Sequence, residues 1–592
     1  MSERRPVRIA NCSGFYGDRF SAAREMVEGG PIDVLTGDYL AELTMLILWK
    51  ARMKDPGVGY ARTFVAQMEQ VLGTCMDRGI KVVSNAGGLN PAGLASQLAA
   101  LAEKLGLQPR IAWVEGDDIS GSVTGLLDKG HPLANMDTGQ SLAEAGVTPI
   151  SANAYLGGFG IAEALAAGAD IVVTGRVTDA SLVVGPAAWW HGWRRDDYDR
   201  LAGAVVAGHV IECGAQATGG NYAFIEEIAD RRVPGFPIAE VAADGSSVIT
   251  KHPDTGGLVS VGTVTAQLLY EIAQPAYANP DAVALFDTVD LEQVGKDRVR
   301  ISGVRGAEPP AKLKVALNYL GGYRNSMTLV LTGLDIEAKA AWAEEELFSV
   351  LGGKQRFDAV DVHLARFDRE DSPDNELATA HLRITVMDSD PSKVGRAFSN
   401  AAVELALGGY AGFHATTPPG AESAFGVYWP ALVDSSEVVH TVVLPDGSRR
   451  VIEHQGGAGQ PKDVPQATGR PVGAEAGPTR RAPLGRVCGA RSGDKGGNAN
   501  VGLWARDDPS YEWLASYLDV ERFKELLPEA AELEVRRYEL PNLRALNFVV
   551  VGLLGKGVAA STRPDPQAKG LGEFIRSRYA QIPVRLLPAE NA

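Results

Sequence analysis

A short pattern that recurs along the first 220 residues is the feature that most constrains the fold. A run of apolar residues ends in a polar, glycine-rich tip, and a segment of helical composition often follows it. Strands that alternate with helices form βαβ units and a parallel sheet. The sequence therefore predicts an α/β fold whose amino-terminal domain has a mostly parallel, Rossmann-like sheet. Unequal unit lengths favour an open sheet, with a closed barrel as the alternative. The predicted runs are Val7–Ala10, Ile32–Leu35, Ile80–Val83, Arg110–Val114, Thr148–Ile150, Asp170–Thr174 and His209–Ile211.

Polar residues after these runs indicate where a ligand would bind. In an open parallel sheet, ligands bind outside the carboxyl ends of the strands, so the polar tips would converge on one edge. Each residue singly keeps a structural interpretation, such as an Arg176–Asp179 ion pair that ties down a loop, because loops are usually polar. As a set, these residues predict the functional site: Asp18, Asp38, Asn85, Asn153, Arg176, Asp179 and Glu212.

Two glycine-rich segments invite comparison with phosphate-binding loops. Gly157–Glu163 lies between a strand tip and a helix, where backbone N–H groups near Gly158 and Gly160 would hold a phosphate. A tight turn that needs small residues is the alternative, because Glu163 stands where the last glycine of G-x-G-x-x-G would be. Gly489–Lys495 lacks the spacing of a nucleoside-triphosphate loop, and we reject that function.

Cys213, at the tip of the predicted strand His209–Ile211, and His252 are two further candidates. Cys213 is a candidate nucleophile, but His209, on the same face of the predicted strand, would lie roughly 13 Å away, too far for a direct hydrogen bond. A merely buried cysteine is the alternative. His252 belongs to the polar segment Lys251–Gly257, which would fold over the cleft as a lid or form an ordinary β-turn.

Composition excludes several classes of protein. A formal charge of -16 and a pI of about 5.2 argue against a binder of nucleic acid or anionic membranes, which needs a clustered basic face. The four cysteines show no C-x-x-C spacing, so they predict neither a disulfide framework nor a zinc site and favour a reducing cytoplasm. The histidines form no H-x-x-x-H pair, and no stretch has the length of a membrane span. Asp117, Asp118 or Asp38 would bind a magnesium ion if the protein uses one, and a solvated loop is the alternative for Asp117 and Asp118.

Changes in composition also predict domain boundaries. Residues 1–225 form the predicted parallel-sheet domain, and residues 226–450 continue it as a β-rich and α+β region that includes the valine- and threonine-rich run Val259–Val264. Residues 451–483 are dense in Gly, Pro and Ala, which is typical of a flexible linker. Residues 484–592 predict a separate small domain of strands and two helices.

Six phrases of the sequence together resemble one known family. They are NCSGFYGDR, LTGDYLAE, SNAGGLNP, VTGRVTDASL, GHVIECGAQATGGNY and RSGDKGGNANVG. They resemble the acyclic terpene utilisation, or AtuA-type, proteins over nearly the whole chain. The resemblance implies a ferredoxin-like carboxyl-terminal domain and a part in the bacterial breakdown of citronellol- and geraniol-type compounds, which proceeds through branched acyl-coenzyme A thioesters. The matching motif positions are Asp18, Asp38, Asn85, Arg176, Asp179, Glu212 and the loop Arg491–Asn500.

The residues and the resemblance together lead to a hypothesis about function. We expect a cytoplasmic, homo-oligomeric enzyme that hydrates, dehydrates or cleaves a branched, carboxylated acyl-coenzyme A, with coenzyme A as part of the substrate and no certain cofactor. These reactions need an acid or base carboxylate and a cation that holds an enolate or a carboxylate. Asp179 or Glu212 would be the base. Arg176 would be the carboxylate clamp and Asn85 an oxyanion donor.

Three interpretations remain for the carboxyl-terminal loop, and two alternatives remain for the function of the protein. The loop would bind phosphate, dock back over the main cleft or form a plain surface turn, and its candidate residues are Arg491, Asp494, Lys495 and Asn498. A non-catalytic partner or scaffold of an acyl-coenzyme A carboxylase is one alternative function. A thioesterase or acyltransferase that uses Cys213 is the other.

Overall fold

The computed structural model describes residues 4–457 and 477–588. The chain divides into two compact units, of which the first contains residues up to 318, 428–558 and 567 onward, and the second contains 319–427 and 559–566. Residues 458–476, which make up most of the predicted linker 451–483, lie outside the described residues.

The strands and helices follow in chain order. The strands are β1 (Val7–Asn11), β2 (Val34–Gly37), β3 (Lys81–Ser84), β4 (Ile111–Glu115), β5 (Ser151–Ala154), β6 (Ile171–Thr174), β7 (Pro237–Val241), β8 (Ser247–Lys251), β9 (Ala276–Ala278), β10 (Val283–Leu285), β11 (Asp290–Gly295), β12 (Arg298–Ser302), β13 (Arg305–Ala307), β14 (Lys312–Thr332), β15 (Ala359–Arg366), β16 (Thr379–Asp388), β17 (His414–Ala415), β18 (Ser423–Asp434), β19 (Thr441–Val443), β20 (Arg449–Val451), β21 (Thr479–Pro483), β22 (Cys488–Lys495), β23 (Asn498–Ala505), β24 (Val535–Leu540), β25 (Ala545–Val550) and β26 (Tyr579–Pro583). The helices are α1 (Ala22–Glu28), α2 (Glu42–Lys54), α3 (Arg62–Arg78), α4 (Pro91–Lys104), α5 (Val123–Asp128), α6 (Leu142–Ala145), α7 (Phe159–Ala166), α8 (Ser181–His191), α9 (Tyr198–Ile211), α10 (Val261–Leu268), α11 (Ile336–Leu351), α12 (Pro391–Val394), α13 (Arg396–Gly408), α14 (Asp508–Tyr517), α15 (Val520–Leu526) and α16 (Leu571–Ser577).

The largest sheet belongs to the first unit and is mixed. Its strands run in the order β11-β12-β8-β7-β1-β2-β3-β6-β4-β19-β20. The central strands β1, β2, β3, β6 and β4 are parallel, whereas the strands on both flanks pair antiparallel. The α/β class is therefore confirmed, but the mostly parallel, Rossmann-like sheet is not. The flanks differ because a short turn such as the one between β7 and β8 joins only antiparallel neighbours.

Two of the predicted parallel strands are absent from the parallel centre. The run Thr148–Ile150 is not a strand, and its predicted polar tip forms β5 (Ser151–Ala154) instead, which pairs antiparallel with β14. His209–Ile211, predicted as a strand, is the last turn of helix α9. Alanine, glycine and valine make up most of that helix. A helix that is apolar on every side is typically buried. The short apolar run His209–Ile211 is therefore as compatible with a buried helix as with a buried strand.

Helix α10 was not predicted. It begins inside the run Val259–Val264, which we assigned to the β-rich region. The side chain of Ser260 accepts a hydrogen bond from the backbone N of Thr263, and the hydroxyl of Thr263 accepts one from the backbone N of Ser260. This reciprocal cap satisfies N–H groups at the start of a helix, which outweighs the β-propensity of valine and threonine.

The carboxyl-terminal part of the first unit is built on the antiparallel sheet β22-β23-β25-β24. Helices α14, α15 and α16 cover it, around a core that includes Leu503, Phe523 and Phe548. A Cβ added at Gly502 would lie 2.5 Å from Cβ of Leu269, so this glycine lets strand β23 lie directly against the segment after helix α10. That close approach positions part of the site described below.

The second unit is an antiparallel sheet with helices on one face. The later part of β14 pairs with β16 and β17, and β16 pairs with β15. Leu329, Leu382 and Ile384 pack with Phe348 and Phe398 of helices α11 and α13 in its core. Among the described residues, none of the helices has the length and apolar character needed to cross a membrane.

Candidate functional site

A cavity of about 490 Å³ lies in the first unit, in the size range typical of small-molecule sites. Its aromatic lining is Tyr155, Tyr277 and Tyr428. Its charged lining consists of Asp137, Arg176, Asp179, Glu212, Glu271, Lys312, Lys314, Asp494 and Lys495. Both the strand ends of the central sheet and the carboxyl-terminal sheet contribute to this set.

Arg176 is fixed at the cavity wall by the end of strand β6. Its backbone N donates to Oδ2 of Asp117 at 2.8 Å, and its Nη1 donates to Oδ1 of Asp179. Its Cζ lies 4.2 Å from the ring centroid of Tyr155. A Cβ at Gly175 would lie 2.2 Å from Oδ1 of Asp117, so the turn needs a glycine at this position. The Arg176 guanidinium is thus buried, oriented and paired.

Glu212 is the carboxyl group best suited to act as an acid. It follows helix α9, whose end is held by hydrogen bonds from Nδ2 of Asn11 to the carbonyls of Ile211 and Glu212, at 2.6 and 3.0 Å. Its side chain is only 9% exposed. Burial, then the negative charges of Asp179 and Glu271, raise the pKa of Glu212 well above its usual value, although Lys495 and Arg176 oppose them. Burial in this cluster therefore favours the protonated form of Glu212 more than exposure to solvent would.

Asp38 and Asn85 stand behind this cluster. Burial and the negative charge of Asp179 raise the pKa of Asp38, against the opposing charge of Arg176. Nδ2 of Asn85 donates to Oδ1 of Asp38 at 2.6 Å, and its Oδ1 accepts from the backbone N of Tyr39 at 2.8 Å. Asn85 is fully buried and is not part of the cavity lining. Its amide is engaged in holding Asp38.

The carboxyl-terminal segment Arg491–Asn500 brings Lys495 to the cavity. Nζ of Lys495 donates to the carbonyl of Glu271 at 2.8 Å and lies 5.6 Å from the ring centroid of Tyr277. Arg491 donates to Oε1 of Gln216, and burial lowers its pKa. Asp494 also lines the cavity.

The structure places other predicted residues at supporting positions. Asp18 accepts from the backbone N of Gly14 at 2.8 Å and of Arg19 at 2.7 Å, so it braces the loop after β1. Nε2 of His252 lies 2.9 Å from the carbonyl of Met26, away from the lining of the cavity.

Two asparagines reach the site indirectly. Nδ2 of Asn153 donates to Oδ2 of Asp117 at 2.9 Å, behind the Arg176 turn. Nδ2 of Asn498 donates to Oδ1 of Asp137 at 2.8 Å, and Asp137 lines the cavity. Both asparagines therefore position a carboxylate.

The turn at Gly158 and Gly160, predicted to hold a phosphate, is filled by a carboxylate of the chain itself. Oδ2 of Asp281 accepts from the backbone N of Gly158 at 2.8 Å. Burial raises the pKa of Asp281 to about 6. A Cβ at Gly160 would lie 2.5 Å from Nε2 of His440, so this glycine permits close packing.

The carboxylates left open for magnesium bind N–H donors. Oδ2 of Asp117 accepts hydrogen bonds from the backbone N of Arg176 and from Nδ2 of Asn153. Oδ1 of Asp118 accepts one from the backbone N of Ser120 at 3.0 Å. Within residues 4–457 and 477–588, no group of three or more His, Cys, Asp or Glu side chains is arranged to hold a metal ion.

Comparison with known proteins agrees with this division of the site between two parts of the chain. The family model for the acyclic terpene utilisation family protein AtuA matches residues 7–444, and that for the AtuA ferredoxin-like domain matches residues 482–580. The chain belongs to the AtuA family. The ferredoxin-like carboxyl-terminal domain is thereby confirmed. No curated protein matches the chain.

Sequence reasoning missed several residues of this AtuA-family site, above all Glu271. Glu271 is the single charged residue between Asp254 and Asp281, in an otherwise apolar and uncharged polar stretch. An isolated carboxylate in such a stretch stands out in the sequence and could have indicated a residue of the site. Tyr277 and Lys314 gave weaker signals, because their types are common on ordinary strands.

Cys213 lies next to Glu212 in this AtuA-family chain, but its surroundings disfavour a thiolate. Burial, then the negative charges of Glu212 and Glu271, raise the pKa of Cys213 well above its usual value. A nucleophilic cysteine needs the opposite, a nearby positive charge or base that lowers its pKa. His209 does not supply one, because burial lowers its pKa to about 4.

Proposed function

We propose that this AtuA-family protein is an enzyme of acyclic terpene breakdown that acts on a branched, carboxylated acyl-coenzyme A thioester by adding or removing water or by cleaving a carbon–carbon bond. Membership of the family supports the pathway. The observation that carries the reaction class is Glu212, a buried carboxyl group with a raised pKa that lines the same cavity as the cations Arg176 and Lys495.

These groups suit the proposed reactions. A carboxylic acid whose pKa is raised by burial is suited to give its proton to a leaving hydroxyl group or to an enolate. Arg176 and Lys495 are placed to hold the carboxylate of the substrate and the negative charge that develops on a thioester oxygen. Asp179 accepts a hydrogen bond from Arg176 and so fixes the direction of its guanidinium.

The shape of the cavity supports an acyl group as the part that enters. Met136, Leu313 and Leu432 give apolar contact beside the charged groups. A volume of about 490 Å³ suits a branched acyl chain, with the coenzyme A handle extending outward. Lys312 and Lys314 follow each other on one face of strand β14 and are candidates to meet an anionic handle.

The test is mass spectrometry of the full chain incubated with a panel of branched acyl-coenzyme A esters, with and without magnesium. A mass change of one water would indicate a hydratase, and loss of an acetyl unit a lyase. Glu212→Gln and Asp179→Asn should each reduce turnover by about 10²- to 10⁴-fold. Glu292→Gln, which alters a carboxylate on strand β11 outside the cavity lining, is the matched control and should leave turnover unchanged.

Two results would overturn the proposal. The first is no mass change for any ester, and co-elution with an acyl-coenzyme A carboxylase would then favour a non-catalytic partner. The second is full turnover by Glu212→Gln, which would remove the acid from the reaction. Size-exclusion chromatography of the same sample tests the expected homo-oligomer.

A further inference from the structure

The backbone of Glu271 adopts a conformation that favours glycine. Its φ is 55°, in the left-handed region, in the turn that follows helix α10, three residues after Leu268. A residue with a Cβ is strained there, whereas glycine adopts this conformation at little steric cost. Strained residues of this kind cluster at functional sites, where the side chain is needed for more than the turn.

Three side chains of the ferredoxin-like domain hold this strained segment. Oδ1 of Asn500 accepts from the backbone N of Glu271 at 2.9 Å, and its Nδ2 donates to the carbonyl of Leu269 at 2.7 Å. Nδ2 of Asn547 donates to the carbonyl of Ala273 at 2.6 Å. Lys495 donates to the carbonyl of Glu271. The polar groups around the strained residue are thus bound on both sides.

The clamp formed by Asn500 and Asn547 is itself buried and internally paired. Both asparagines are fully buried, and Nδ2 of Asn500 donates to Oδ1 of Asn547 at 2.9 Å. Burial of two amides is favourable only when their hydrogen bonds are satisfied, and the backbone around Glu271 supplies most of the partners. Two strands of the domain therefore present side chains whose partners lie around one residue.

The side chain of Glu271 reaches the cavity. It lines the same cavity as Glu212 and Tyr277. Its negative charge is among the causes that raise the pKa of Glu212, after burial and Asp179. An acid and a second carboxylate thus share one cavity, on segments from different parts of the chain.

We propose that Glu271 is the catalytic base of the site and that Asn500 and Asn547 position it. The proposal rests on the proposed function. In dehydration, the Glu271 carboxylate takes the proton from the carbon next to the thioester carbonyl. The C–H electron pair forms the new C=C bond, the C–O bond to the hydroxyl group breaks, and Glu212 gives its proton to that oxygen to form water. Hydration is the reverse, so atoms and electrons balance without a further reactant.

The first experiment separates the base from the rest of the reaction. Exchange of the substrate proton next to the carbonyl is followed in D₂O by mass spectrometry. Glu271→Gln keeps the side-chain shape and should lower both exchange and turnover by at least about 100-fold with an unchanged melting temperature. Retention of exchange within threefold of the unaltered protein would overturn the proposal.

The second experiment needs no substrate. Glu271→Gly relieves the left-handed strain, so its melting temperature should equal or exceed that of the unaltered protein. Asp335→Gly is the matched control, because Asp335 is exposed, has φ 57° and makes no side-chain cap at the start of helix α11. It should gain stability with full turnover. A lower melting temperature for Glu271→Gly would assign its side chain a structural role and overturn the proposal.

The positioning role is tested by a double-mutant cycle. Asn547→Ala should lower kcat with KM nearly unchanged, and it should cause no further loss of turnover when Glu271 is already Gln. Equal losses in both backgrounds would show that Asn547 acts independently of Glu271. If no ester is turned over by the unaltered protein, the proposed function fails, while the melting experiment still decides whether the strain serves stability.

Discussion

The turn Gly157–Gly160 and the segment Arg491–Asn500 are both rich in glycine but have different roles in the structure. In both, a backbone N–H donates to a carboxylate of the chain: Gly158 to Asp281, and Gly497 to Oδ2 of Asp137 at 2.9 Å. The second segment also carries Lys495 and Asp494 into the cavity. The glycines permit close packing in both places, and the adjacent side chains make the difference.

This difference shows what a glycine-rich segment indicates by itself. Free N–H groups at a turn attract an anion, but in a folded chain the nearest anion is often one of its own carboxylates. A ligand site needs a further feature, such as a cation facing an open volume. Lys495 provides that feature, so the comparison predicts a larger effect on turnover from the second segment and an effect on stability from the first.

Among variants of the two glycine-rich segments and their neighbours, Lys495→Met should give the largest effect on turnover. Its ammonium group lies at the cavity wall beside Glu271 and Tyr277, where it stabilises negative charge on the substrate. Removing one such preorganised group typically lowers turnover by about 10²- to 10³-fold. Steady-state kinetics by mass spectrometry on the ester panel provides the measurement.

Lys556→Met is the control for Lys495→Met, because Lys556 is an exposed lysine of the same domain outside the cavity lining. It should retain turnover and melting temperature. Equal activity of both variants would remove the distinction between the two glycine-rich segments, since Lys495 would then be only a packing contact.

Local sequence patterns identified the part of the site that lies on the parallel strands. Arg176 follows the apolar run of β6 and a glycine, and Asp38 follows β2 in the same way. Such a pattern is local, because burial of the strand and exposure of its end are both determined within a few residues. The strand edge was therefore predictable from the sequence.

The rest of the site depends on contacts that are distant in sequence. Glu271 and Asn500 are 229 residues apart, and Gly158 and Asp281 are 123 residues apart. Neither pairing has a period or a spacing that a single sequence reveals. The strand predicted at His209–Ile211 was wrong for another reason, since a short apolar run fits a buried strand and the end of a buried helix equally well.

Asp281→Asn tests whether the turn Gly157–Gly160 serves stability, through the pH dependence of unfolding. Burial raises the pKa of Asp281 from 3.8 to about 6, so the folded protein binds this proton more tightly than the unfolded chain. Stability from this group therefore increases as pH falls from 7 to 5, and it is lost as pH rises through about 6. Relative to Asp281→Asn, the unaltered protein should gain about 1 kcal/mol over that interval.

Urea unfolding at pH 5 and at pH 7 provides the measurement for Asp281. Asn retains an oxygen that accepts from Gly158, so turnover should stay within about threefold of the unaltered protein. A large loss of turnover without a change in the pH slope would contradict the assignment of this turn to stability. It would place Asp281 in the reaction instead.

Cys213→Ser should have the smallest effect. Burial above all, then the negative charges of Glu212 and Glu271, raise the pKa of the Cys213 thiol well above its usual value, so it contributes no nucleophile at neutral pH. Turnover should remain within about threefold, and iodoacetamide at pH 7 should leave the activity of the unaltered chain intact. Loss of activity with the label located on Cys213 would instead support the thioesterase function. It would also require a positive charge near the sulfur to outweigh both carboxylates, and that would change the assignment of Glu212 as the acid.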